Sequence, residues 1–166
     1  MIRHFIFVFV LLAAFSMINA VPHQFRKRTT TFNPCPVEGV DPLTVSISPD
    51  PPVSGKTETY TVSGTLTKGD ITADKTIVGI AYADTAKNPI GDPYTKIFTQ
   101  SFKSGTPFTI TADDVTTPQL PDSYFIGVVV GDPTDDPKNP LDVYGCAFAV
   151  VEITSSGSNK KNVTLL

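Results

Sequence analysis

Residues 57–67 read Thr-Glu-Thr-Tyr-Thr-Val-Ser-Gly-Thr-Leu-Thr. Tyr60, Val62, Gly64 and Leu66 fall on one parity, and Thr59, Thr61, Ser63 and Thr65 on the other. Successive side chains of a pleated strand point to opposite faces, so this stretch is a strand with one apolar and one hydroxylated face. A segment of this kind needs a partner sheet to cover its apolar side. The rest of the chain supplies more of the same.

Working outward, strands are expected over 43–48, 57–67, 76–84, 94–102, 107–111, 123–131 and 142–153, each rich in Thr, Val, Ile, Tyr and Phe. Between them lie Pro-Asp-Pro-Pro-Val-Ser-Gly (49–55), Lys-Asn-Pro-Ile-Gly-Asp-Pro (87–93) and the 131–140 stretch, whose prolines fix φ and whose aspartates and glycines accept tight bends. No segment keeps a 3.6-residue apolar period. The expected fold is therefore all-β, an immunoglobulin-like β-sandwich of about seven strands in two sheets.

The inward faces follow from alternation. Phe108 and Ile110 oppose Thr109 and Thr111, while Tyr124, Ile126, Val128 and Val130 make one file and Ala147, Ala149 and Val151 another. The strands at 123–131 and 142–153 are apolar on both faces, as expected where one side meets the opposite sheet and the other is covered. The alanine file is small. Small residues facing large ones are ordinary interdigitation, or they leave room for a guest; alternation does not choose between the two.

The N-terminus carries an expectation of secretion. Arg3 precedes an apolar run from Phe5 to Phe15, too short to span a bilayer at the roughly 20 residues required, and Ile18-Asn19-Ala20 offers a cleavage site. The expected organisation is a signal peptide over 1–20, a polar linker or pro-segment over 21–31, one domain over 32–154 and a polar tail over 155–166. Arg26-Lys27-Arg28 is either a processing site or a solvated linker, and Asn162-Val163-Thr164 is an acceptor sequon in the tail. In a secreted chain the lone pair Cys35 and Cys146 is read as one disulfide, the alternative being two free thiols.

Charge and chemistry exclude several classes. Residues 1–20 hold one basic residue and no acid, so removing them leaves 12 basic residues against 16 acidic ones, a net charge of −4. Such a balance does not attract nucleic acid, whose binding needs basic clusters to neutralise phosphates. The two histidines, His4 and His23, both precede the domain, so no Ser-His-Asp or Cys-His arrangement can be assembled within it. Asp132, Asp135 and Asp136 are close in sequence, but their spacing is not that of a calcium loop. No enzyme activity, cofactor or metal is expected.

Four motifs carry a resemblance. Phe32-Asn33-Pro34-Cys35 opens the domain, and Val45-Ser46-Ile47-Ser48 runs into Pro49-Asp50-Pro51-Pro52-Val53-Ser54-Gly55-Lys56. Leu120-Pro121-Asp122-Ser123-Tyr124 leads into an apolar strand, and Tyr144-Gly145-Cys146-Ala147-Phe148-Ala149-Val150 closes the domain. In this order the chain resembles the ML family, the MD-2-related lipid-recognition domains. It looks most like their fungal branch of secreted phosphatidylglycerol/phosphatidylinositol transfer proteins and, more distantly, like the family's lysosomal sterol carrier. It departs from the common family pattern in lacking cysteines for two further short-range disulfides.

The resemblance implies two splayed sheets with a lipid tail between them, the first and last strands joined by Cys35 and Cys146. Tyr60, Val62, Phe108, Ile110, Tyr124, Ile126, Val128, Val130, Ala147 and Ala149 are then expected to line that lipid. It implies a secreted, monomeric carrier of a phospholipid or sterol that touches membranes transiently. An empty cavity costs about 24 cal/mol per Å³, so a void of a few hundred Å³ would threaten a domain stable by about 5–15 kcal/mol unless a guest filled it. The first rival expectation is a structural or adhesive immunoglobulin-like module without a ligand cavity, its sandwich filled by its own side chains; the second is a hydrolase acting through loop carboxylates.

Overall fold

The structure, a computed structural model, describes residues 29–152. The signal peptide, the Arg26–Arg28 site, the Asn162 sequon and the C-terminal tail lie outside the described residues. Eight strands and no helix make up the described chain: β1 (Phe32–Pro34), β2 (Asp41–Ser48), β3 (Thr57–Thr65), β4 (Ile77–Asp84), β5 (Tyr94–Ile97), β6 (Pro107–Thr116), β7 (Ser123–Pro133) and β8 (Leu141–Glu152). The expected all-β sandwich is the fold observed.

One sheet runs β5-β4-β7-β8 with β1 on the far edge of β8; the other runs β2-β3-β6. Apart from one pairing, neighbours are antiparallel. The exception joins the sheets, because β2 begins parallel to β8 with Asp41 opposite Gly145 and Pro42 opposite Cys146. From Leu43 onward β2 pairs with β3 instead. The two sheets therefore meet along this seam at one end and diverge at the other.

The seam is closed by chemistry as well as by pairing. Cys35 and Cys146 form a disulfide across 111 residues of sequence, with Cα atoms 5.5 Å apart. Leu43 and Leu66 pack so tightly over Gly145 that a Cβ there would lie 2.7 Å from a methyl of each. Phe98 and Phe102 lie 5.6 and 6.3 Å from the ring of Phe108 and fill the same end. These contacts are apolar.

Three details differ from expectation. The strand β1 is additional, since three residues are too few to show a period. The fifth strand stops at Ile97 because the chain turns inward, with the Phe98 amide donating to the Thr76 carbonyl and Phe102 bridging to Ile71. The sixth extends to Thr116, past Asp113 and Asp114, because a register shift between Glu58 and Tyr60 lets both aspartates face solvent while Ala112 and Val115 stay buried.

Candidate functional site

Nine of the ten residues expected to face inward are buried: Tyr60, Val62, Phe108, Tyr124, Ile126, Val128, Val130, Ala147 and Ala149. Ile110 is partly buried against them. The register brings several together, placing Val128 opposite both Ile80 and Ala147, and Ile126 opposite both Tyr82 and Ala149. Val62, Val128, Val130, Ala147 and Ala149 are 0% exposed, so no water-sized space adjoins them. The sheets are closed on one another along this file.

Space appears instead beside the end of β8, where the segment before β1 runs along it. A cleft of about 510 Å³ is lined by Thr29, Thr30, Thr31, Pro51, Val150, Val151 and Glu152. It lies between the end of β8 and the turn after β2, opposite to the seam. Val151 belongs to both regions, since it lines the cleft and its side chain is also in the core. A strap crosses the opening: the Thr30 amide donates to both carboxylate oxygens of Asp50 at 2.9 and 3.0 Å, and its hydroxyl donates at 2.6 Å.

A separate group of buried polar side chains lies at the start of β3, beside Val53 and Asp50. Glu58 and Thr117 are each 1% exposed, and the Tyr60 hydroxyl lies 2.7 Å from that of Tyr82. The Tyr82 hydroxyl in turn lies 3.4 Å from Thr117 Oγ1. The rings of Tyr82 and Tyr124 are 6.4 Å apart, and Tyr124 sits opposite Val151 across β7 and β8. Glu58 Oε1 accepts a hydrogen bond from the Val53 amide, whereas Oε2 is buried with no partner. An unsatisfied buried oxygen costs about 1–3 kcal/mol, and more if charged.

The titration of the cluster reflects this environment. Burial pushes the Glu58 carboxyl above its ordinary value against the Val53 amide and the Thr117 hydroxyl, and the nearby Asp50 adds to the rise. Burial pushes the Tyr60 and Tyr82 phenols up as well, and Tyr124 up to about 12. At neutral pH the three tyrosines are neutral hydroxyls. Glu58, Tyr82 and Thr117 are not among the site residues expected from the sequence, yet Glu58 shares its parity with Tyr60 and Val62, which is the signal the chain offers for it.

The loop aspartates do not converge. Asp132 is 5% exposed and accepts from Thr76 Oγ1 at 2.6 Å and from Lys75 at 2.5 Å, while Asp135 and Asp136 face solvent. Burial pushes Asp132 up, but Lys75, Thr76 and Tyr144 outweigh it and hold the carboxyl below its ordinary value. Among the described residues no three His, Cys, Asp or Glu side chains gather as a metal site.

No family model matches the chain, and no curated relative matches it either. Among solved structures the chain is similar to the crystal structure of chicken MD-1 complexed with lipid IVa. That likeness has a TM-score of 0.43 and 13% identity, covering 73% of this chain and 87% of the other. At that distance the functional reading rests on this chain's own residues.

Proposed function

We propose that this chain is a secreted, monomeric lipid-binding protein that holds the apolar part of a phospholipid or sterol between its two sheets and moves it between membranes. It acts by non-covalent shielding rather than by catalysis. The observation that carries the reading is the divergence of β2 from β8, which leaves a cleft of about 510 Å³ whose inner wall, at Val151, is continuous with the apolar file of β7 and β8. A hydrocarbon entering there meets Ile126, Val128, Ala147 and Ala149 in succession.

The closed packing of that file sets the mechanism. A ligand-free domain with collapsed sheets carries no large void, so it avoids the cavity cost of roughly 24 cal/mol per Å³. Entry of a chain requires the sheets to part from the mouth inward while the disulfide holds the seam. Each methylene withdrawn from water returns about 0.8 kcal/mol, so a long acyl chain offsets the packing given up when the sheets part. A polar head stays at the mouth, and brief contact with a membrane delivers or receives the lipid.

A second reading is supported by the same closure: a structural or adhesive module filled by its own side chains. Organic extraction of protein recovered from culture medium, followed by mass spectrometry, separates the two. A lipid co-purifying near one per protein is the expected result. Lipid-free protein that also takes up none from vesicles favours the adhesive module.

A further inference from the structure

We propose that Glu58 is the polar pole of the interior, a binding site for the hydroxyl group of an otherwise apolar lipid. The inference rests on the lipid-binding reading and adds the class of lipid to it: neutral alcohols such as sterols, acylglycerols or fatty alcohols, rather than lipids with an anionic head.

The geometry is that of a half-used acceptor. Glu58 Oε1 is engaged by the Val53 amide, Oε2 is buried with no partner at hydrogen-bonding distance on a residue 1% exposed, and the Thr117 hydroxyl lies near enough to the carboxyl to oppose its rise in pKa. The polar groups around it are hydroxyls, in the sequence Thr117, Tyr82 and Tyr60. Among the described residues the ion pairs are Lys68–Asp142, Lys75–Asp132, Lys96–Asp113 and Lys103–Asp70, so none involves Glu58. The charged neighbour that bears on Glu58 is Asp50, which is also acidic.

This environment selects among head groups. A phosphate or carboxylate would be repelled by Asp50 and by Glu58 whenever it is ionised, and among the described residues no lysine or arginine is ion-paired with either acid. An ammonium would satisfy only the ionised acid and would itself need desolvation. A hydroxyl is neutral, and it both donates and accepts. It donates to Oε2 of the carboxylate and accepts from Oε2–H of the protonated acid, so it satisfies the orphan oxygen in either state.

The position fits the route of entry. Pro51 and Val151 line the cleft, and Tyr124, opposite Val151, lies 6.4 Å from the Tyr82 ring. A hydroxyl lodged at Glu58 leaves its hydrocarbon pointing toward Ile126 and Val128, away from the mouth and toward the seam.

The test is equilibrium binding of radiolabelled 1-hexadecanol, palmitate and hexadecylamine to the intact protein and to Glu58→Leu and Glu58→Gln variants. Specificity is taken as the ratio of affinities within each protein, so a smaller folded fraction cancels. The native chain is expected to bind hexadecanol at least about 10-fold more tightly than palmitate or hexadecylamine, the discrimination of a satisfied over an unsatisfied buried polar group. Glu58→Leu is expected to bring the hexadecanol-to-palmitate ratio close to one while still binding the chain. Glu58→Gln, whose amide still partners a hydroxyl, is expected to keep most of the preference. A native preference for palmitate or hexadecylamine, or an alcohol preference that survives in Glu58→Leu, overturns the hydroxyl site and leaves lipid binding standing. Binding of none of the three overturns the lipid-binding reading itself.

Discussion

The two ends of the sandwich are built on opposite principles. At the seam, β2 pairs with β8, Cys35 is bonded to Cys146, Leu43, Leu66 and Phe108 pack together, and the buried carboxylate nearby, Asp132, is engaged by Thr76 and Lys75. At the mouth the sheets part, a carboxyl and three tyrosines lie inside, and the closure is the Thr30–Asp50 strap. One end concentrates covalent and apolar stability; the other carries an unsatisfied polar atom and a cleft. Local stability is rarely uniform, and elements that must move are drawn from its low end. On the lipid-binding proposal, the mouth is the part that opens and the seam is the hinge.

The largest test of this contrast is removal of the staple. Cys35→Ser with Cys146→Ser opens a loop of 111 residues and is expected to lower unfolding free energy by about 4–5 kcal/mol in urea titration. A loss below about 1 kcal/mol would mean that the seam is not held by its bridge. Next is Gly145→Ala, which drives a Cβ to within 2.7 Å of the Leu43 and Leu66 methyls. Such overpacking costs about 1–3 kcal/mol, while Gly127→Ala, with nothing within 4 Å of the new Cβ, serves as the control and stays near zero.

A smaller and pH-dependent effect belongs to the mouth. The Glu58 carboxyl is raised by burial, so the folded state holds its proton more tightly than the unfolded state does. That contribution is fully present below the unfolded value near 4.5 and is lost as pH rises through the elevated folded value. Thermal melts from about pH 4 upward, scanned roughly every half unit, are expected to show the native chain losing stability relative to Glu58→Gln. A difference that stays flat with pH would mean that Glu58 is not confined as described.

Much of this contrast was legible in the sequence, and the gaps have physical causes. The alternation in 57–67 and 107–111 marks strand, face and inward residues, because period-two patterning records one-sided burial directly. The cysteine pair locates the seam. The strand expected over 107–111 continues to Thr116, because a bulge in the β3–β6 pairing accommodates Asp113 and Asp114. Glu58 is hidden because a glutamate in a run of threonines reads as solvated, although its parity is that of Tyr60. Nor does local patterning tell where two sheets part. The departure of β2 from β8 depends on long-range pairing.

The central claim is that lipid enters at the mouth while the seam stays shut, and amide hydrogen exchange measures it most directly. With vesicle-derived lipid bound, amides at the start of β3 and the end of β8 are expected to change protection by about 10-fold or more, while those flanking Cys146 and Leu43 stay unchanged. Equal changes at both ends, or none at either in the presence of lipid, would contradict the account.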